Sequence, residues 1–261
     1  MYDFVRRPKW IASHIFVVAL VVIMVFLGLW QVDRLQQRRS TNNEVTDRLE
    51  QSVEPVSGLV TIDDSLSIGE ETRFRLVTAT GEYVMADEVL VRNRSLDGAP
   101  GYWVLTPLLL DSGDGVVVNR GWVPFSFEPG DARPGTEPPP GTVTVVGMVR
   151  ETVEASGIQR SDRSGVELDS LARPDLARYQ EQLDYDILPV LVQLESQQPA
   201  GNDLPVPLSR PELDEGPHLA YAVQWFIFCV IALIGYPLVI RRIAKSDGGD
   251  GRHSDIPVDY L

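Results

Sequence analysis

Two long apolar runs frame the hydrophobic pattern of this chain. Residues 14–30 read HIFVVALVVIMVFLGLW, and no charged side chain occurs between Leu219 and Ile240. Each run is long enough to cross a bilayer as a helix rising about 1.5 Å per residue. Between them the period changes from helical to two. Arg73–Thr80 alternates Phe74, Leu76 and Thr78, which predicts a strand with a turn at Gly81, followed by a second strand over Glu82–Arg92. Further strands are predicted at Tyr102–Leu110, Val116–Asn119 and Thr142–Val149, with a glycine-marked turn at 112–115. A helix is predicted from about Asp169 to Leu183, with Pro174 starting or kinking it, and Leu188–Leu194 is the last strand. Residues 40–57 continue the first helix in polar form, and 128–141 and 196–217 are Pro-rich linkers.

This pattern predicts two transmembrane α-helices flanking a β-rich (α+β) extracytoplasmic domain, built as a small β-barrel or an open antiparallel sheet. The divisions are a cytoplasmic head (1–13), a first span (14–35), the β-rich domain (36–215), a second span (216–241) and a disordered cytoplasmic tail (242–261). Arg6, Arg7 and Lys9 precede the first run as in a signal peptide, but no small-x-small cleavage pattern follows. The run therefore reads as an uncleaved anchor. The short head lacks the Arg- and Ser-rich length of an organelle transit peptide, which points to a bacterial plasma membrane. Arg241, Arg242 and Lys245 close the second span, so both termini are expected in the cytoplasm and the domain outside.

Charge sharpens that picture. The chain carries a formal −14, and the ends supply +4 (1–39) and zero (241–261), which leaves −18 on the middle. An acidic domain between basic ends excludes nucleic-acid binding, which needs a positive footprint. Cys229, the single cysteine, lies in the second apolar run. A thiol oxidoreductase or a dithiol metal carrier is therefore excluded.

Candidate chemistry gathers where the second run begins, at Gly216-Pro217-His218-Leu219-Ala220-Tyr221-Ala222-Val223-Gln224-Trp225-Phe226. On a helix His218, Tyr221, Ala222, Trp225 and Cys229 fall to one side. An imidazole at a membrane boundary above aromatic and small residues suits a cofactor face, and equally an interfacial aromatic belt. Trp30, Gln31, Arg34 and Arg38 share the membrane level of His218, with Trp30, Arg34 and Arg38 on an i, i+4, i+8 stripe; Trp30, Gln31 and Arg34 read mainly as an aromatic anchor and a snorkelling arginine packed against the second helix. His14 belongs to the opposite membrane end, about 25–30 Å away, and cannot share a metal with His218. His253 falls in the tail. Asn119-Arg120-Gly121-Trp122 reads as architecture, with Trp122 plugging the end of the sheet; Arg120 facing a partner protein is the alternative. The acidic runs Asp63-Asp64 and Glu70-Glu71 read as solvated. No catalytic constellation is legible, and the chain is not expected to be an enzyme.

Four stretches carry a resemblance: Gly28-Leu29-Trp30-Gln31-Val32-Asp33-Arg34, Gly101-Tyr102-Trp103-Val104-Leu105-Thr106-Pro107-Leu108, Val118-Asn119-Arg120-Gly121-Trp122-Val123-Pro124, and His218–Phe226. In this order and membrane frame the chain resembles the Surfeit locus protein one family, assembly factors of the haem-copper enzyme cytochrome c oxidase. The resemblance runs from about residue 14 to 240 and is poor over 151–186. It implies a role in delivering haem a to oxidase subunit one or in stabilising that subunit, with oxidase subunits and membrane lipid as partners. It maps the family's haem-associated histidine and tryptophan onto His218 and Trp225. Only those two are carried over, His218 as the metal ligand; Tyr221 and Arg34 are added from their own place and chemistry as further cofactor contacts, with Arg34 or Arg38 pairing with the propionates as the minority reading of those arginines. A structural oxidase partner without haem is the alternative.

Overall fold

The computed structural model describes residues 6–60, 68–127, 134–153 and 162–247. Asp63-Asp64, His253 and the tail beyond 247, together with parts of the 128–141 and 151–186 stretches, lie outside the described residues. The chain divides into two compact units, Met1–Asn43 with Glu212–Leu261, and Glu44–Pro211.

The first unit is a pair of antiparallel helices. Helix α1 (Pro8–Leu49) runs for 42 residues. Pro8 is tolerated at its first position because a helix's first N–H groups lack partners anyway. Partly or fully buried positions recur along it at Trp10, His14, Val17, Val21, Met24, Gly28, Gln31 and Leu35. Helix α4 (His218–Asp247) answers with His218, Ala222, Trp225, Cys229, Ala232 and Tyr236. Alternating steps of four and three are the seam of a left-handed helix pair. The helices pack closely at Gly28, where a Cβ would stand 2.9 Å from the Phe226 ring. Nearby, the Cys229 thiol donates to the Val21 carbonyl at 3.8 Å. Both helices are long and apolar enough to cross a membrane.

The second unit is an eight-stranded mixed sheet. Its strands are β1 (Glu54–Pro55), followed at once by the single-turn helix α2 (Val56–Leu59), then β2 (Leu76–Tyr83), β3 (Val89–Leu96), β4 (Ala99–Leu110), β5 (Gly115–Pro124), β6 (Thr142–Arg150), β7 (Ser170–Leu171) and β8 (Ile187–Gln198). They lie in the order β1-β2-β6-β8-β5-β4-β3-β7. The sheet curls, so that β2 also pairs with β4 over Gly81–Tyr83, while β1 and β7 remain as edges. It is therefore not a closed barrel. Nor is it wholly antiparallel, because β1 runs parallel to β2, β7 to β3 and β8 to β5. The run Leu188–Leu194 does not alternate because both its faces are covered. Leu188, Val190 and Val192 enter one core with Val77, Val116 and Val145. Ile187 and Leu191 enter another with Tyr179, beneath the short helix α3 (Leu176–Gln180).

Two predicted features differ from what the chain does. Gly81 is no turn; it sits inside β2, where a Cβ would lie 2.1 Å from the Leu109 carbonyl oxygen. That glycine marks close backbone approach, not reversal. The chain runs on past it in one direction, β2 and β3 both pairing antiparallel to β4 on either side of a 3₁₀ turn at Met85–Asp87, and reverses only at Asp97-Gly98 (φ 50° and 80°), a two-residue hairpin between β3 and β4. The helix predicted over 169–183 shrinks to α3, because Leu171 pairs with Val91 in the sheet and Pro174 bars an earlier start. Asp175 caps α3 by accepting the Arg178 N–H at 3.0 Å.

Candidate functional site

At the head of α4 the described chain begins its helix on His218 itself, after Gly216 adopts a φ of 66°. The imidazole is half-buried, and its Nδ1 lies 2.9 Å from Gln31 Oε1 on α1. An amide oxygen only accepts, so Nδ1 carries the ring proton and Nε2 keeps its lone pair. An orienting partner on one nitrogen and a free lone pair on the other is how proteins present imidazole to a metal.

The remaining residues predicted for this site separate into two groups. Trp225 lies on the seam two turns below His218, half-buried and edge-on to Phe228 at 6.0 Å. Ala222 and Cys229, 2% and 6% exposed, share that stripe. The face that helical spacing marks for a cofactor is therefore largely filled by α1. Tyr221 is off the seam with 46% of its surface open. Arg34 is also exposed; its guanidinium lies 5.5 Å from the Trp30 ring centre and donates to Gln37 Oε1 at 2.8 Å. Trp30 and Arg34 thus do share a stripe, but neither touches His218.

Two contacts in this unit join residues that the sequence does not pair, although it predicts Gln31 packing against the second helix. Gln31 positions the histidine from 187 residues away. Arg39 donates twice to the Glu215 carboxylate, at 2.7 and 2.8 Å. These bonds lower the Glu215 pKa and raise that of Arg39. Among the described residues, no three His, Cys, Asp or Glu side chains cluster as a metal site.

In the sheet unit the conspicuous charge is internal. Arg120, 3% exposed, donates to Glu88 Oε2 at 2.9 Å and to the Thr136 carbonyl at 2.6 Å. Thr106 donates to the same carboxylate oxygen at 2.7 Å. The guanidinium also lies 5.4 Å from the Tyr83 ring centre, and burial pushes the Tyr83 phenol pKa upward. Arg120 is thus an internal strut and does not face a partner. Its place follows from a bulge: β4 residues Val104 and Leu105 oppose Gly121 and Asn119, so Arg120 is the extra residue. Gly121, with φ 136°, admits the Val206 carbonyl 2.2 Å from where a Cβ would sit. Trp122 is 8% exposed and its indole N–H donates to the Arg94 carbonyl at 3.4 Å.

Comparison with known proteins matches this chain to one family model, described as the SURF1 family, over residues 18–230. An uncharacterised SURF1-like protein of Mycobacterium tuberculosis is 29% identical over 242 residues, covering 89% of this chain and 83% of that protein. A SURF1-like protein of Dictyostelium discoideum is 34% identical over 104 residues, 39% of this chain and 38% of its own. The cytochrome oxidase assembly protein SHY1 of Saccharomyces cerevisiae is 30% identical over 106 residues, 40% of this chain and 26% of that protein.

Proposed function

The chain belongs to the SURF1 family, and from that premise we propose that it is a membrane-anchored assembly factor for a haem-copper cytochrome c oxidase, assisting delivery of haem a to subunit one or stabilisation of that subunit. The name of the yeast relative supports the oxidase-assembly part. The haem part rests on one observation: the His218 ring fixed by Gln31 at Nδ1, with Nε2 left as a lone pair at the head of an apolar helix.

Haem a, when bound, supplies an iron that takes an axial nitrogen and two propionates that need cationic partners. The donor chemistry of this end fits such a group. His218 Nε2 would hold the iron, the open ring of Tyr221 and the half-buried Trp225 would offer aromatic surface, and the exposed Arg34 would offer charge to the propionates. Gln31 holds the imidazole in one tautomer and one orientation. In this reading the two spans anchor the protein, with both termini cytoplasmic and the acidic sheet unit outside, a placement that the basic Arg241, Arg242 and Lys245 support.

The full chain, purified from membranes of cells making haem a, should carry a Soret band that His218→Ala abolishes. An unchanged band in that variant removes His218 as ligand. A second reading, a structural oxidase partner without haem, draws on the seam itself, since Ala222 and Cys229 are occupied by helix packing. Near-equal co-purification with oxidase and no extra haem would favour it.

A further inference from the structure

We propose that the opposite end of the helix pair, around His14 and Tyr236, is a binding site for a membrane-soluble hydroquinone. Tyr236 Oη donates to Ser13 Oγ at 3.0 Å and lies 2.6 Å from His14 Nδ1. A phenol has one proton. With that proton on Ser13, the Tyr236 oxygen accepts from Nδ1–H, and His14 Nε2 is left as a lone pair. This Nε2 is buried and has no partner among the described residues. A buried acceptor in an apolar setting calls for a donor.

A cleft of about 400 Å³ adjoins it, lined by His14, Val17, Val21, Leu233, Tyr236 and Pro237 among others. Pro237 has no N–H, so the Leu233 carbonyl loses its helical partner beside the same cleft. The cleft surface itself is almost wholly hydrocarbon, with the orphaned His14 Nε2 buried just behind it. Aromatic rings surround the histidine, Tyr236 edge-on at 5.6 Å and Trp10 tilted at 6.5 Å. A ligand that matches must bring O–H donors, a flat ring and an apolar body. A ring diol with a hydrocarbon tail has all three, whereas an acyl chain has none of the donors. His14 and His218 stand 17 residues apart along the paired helices, about 25 Å. The site is thus separate from the haem proposal and does not depend on it.

The test uses the full chain in phosphatidylcholine vesicles, titrated with a decyl-tailed benzohydroquinone while tryptophan emission is followed. Trp10 beside His14 is the expected reporter. Saturable quenching is expected, absent in Trp10→Phe and at least tenfold weaker in affinity in His14→Phe and Tyr236→Phe. The dimethyl ether of the same compound, which lacks donors, should also bind at least tenfold more weakly, and His218→Ala should bind normally. Equal binding of the ether would overturn the proposal in favour of plain hydrocarbon occupancy by lipid. Unchanged affinity in Tyr236→Phe would overturn it too, and that single-oxygen deletion carries the test if His14→Phe fails to fold.

Discussion

Gln31 and His218, 187 residues apart in the chain, meet at 2.9 Å across the helix seam. The contact fixes which imidazole nitrogen is protonated. In protein with ¹⁵N-labelled histidine, the His218 signals should show protonated Nδ1 and unprotonated Nε2. Gln31→Leu should give a tautomer mixture and at least a tenfold loss of any His218-dependent haem band, within the range for loss of a group orienting a metal-bound histidine. An unchanged tautomer in Gln31→Leu would show that the amide does not set it.

Gly28 sets the approach of α1 to α4. Gly28→Ala meets the far edge of the Phe226 ring, which is 37% exposed and has room to tilt. Gly28→Leu does not escape so easily and should destabilise the pair by about 1–3 kcal/mol. Thermal loss of helical circular dichroism in detergent should move to lower temperature, and adding Phe226→Ala should restore much of it.

The Arg120–Glu88 pair is almost wholly buried, with side-chain exposures of 3% and 2%. Removing one partner strands the other charge, so Arg120→Ala should cost about 3–5 kcal/mol. The double replacement Arg120→Met with Glu88→Leu should recover a large part of that loss. Urea unfolding followed by tryptophan emission reads both.

Alkaline stability follows from three tyrosines. Burial raises the pKa values of Tyr83, Tyr179 and Tyr185 above the ordinary value of 10.0, and the Asp87 carboxylate raises Tyr185 further. Above that pH the unfolded chain loses phenolic protons that the folded chain retains. Stability is therefore full below about pH 10 and falls as pH rises beyond it. Absorbance at 295 nm should show these phenols titrating only together with unfolding.

The two apolar runs were legible because composition alone decides them. The seam between them was not: with apolar residues all round each helix, the four-three spacing of Gly28, Ala222 and Cys229 carries little contrast. Gln31 and His218 were visible as residues but not as a pair, since nothing local links positions so far apart. Gly81 misled because glycine marks both reversal and close approach, and only the Leu109 carbonyl distinguishes them. Arg120 misled in the other direction. A charged residue in a strand reads as surface until its buried acceptors are known, and Glu88 and the Thr136 carbonyl lie on separate elements. Around Pro174 the helical composition of 175–183 was real but too short to extend past the proline.

The terminal strands of the sheet, Glu54–Pro55 and Ser170–Leu171, are only two residues each. Pro55 has no N–H to offer, and a flank this brief gives an incoming strand almost no template for zipping on. Neighbouring copies thus find little edge on which to extend one sheet into another, and the −18 on residues 40–240 adds mutual repulsion.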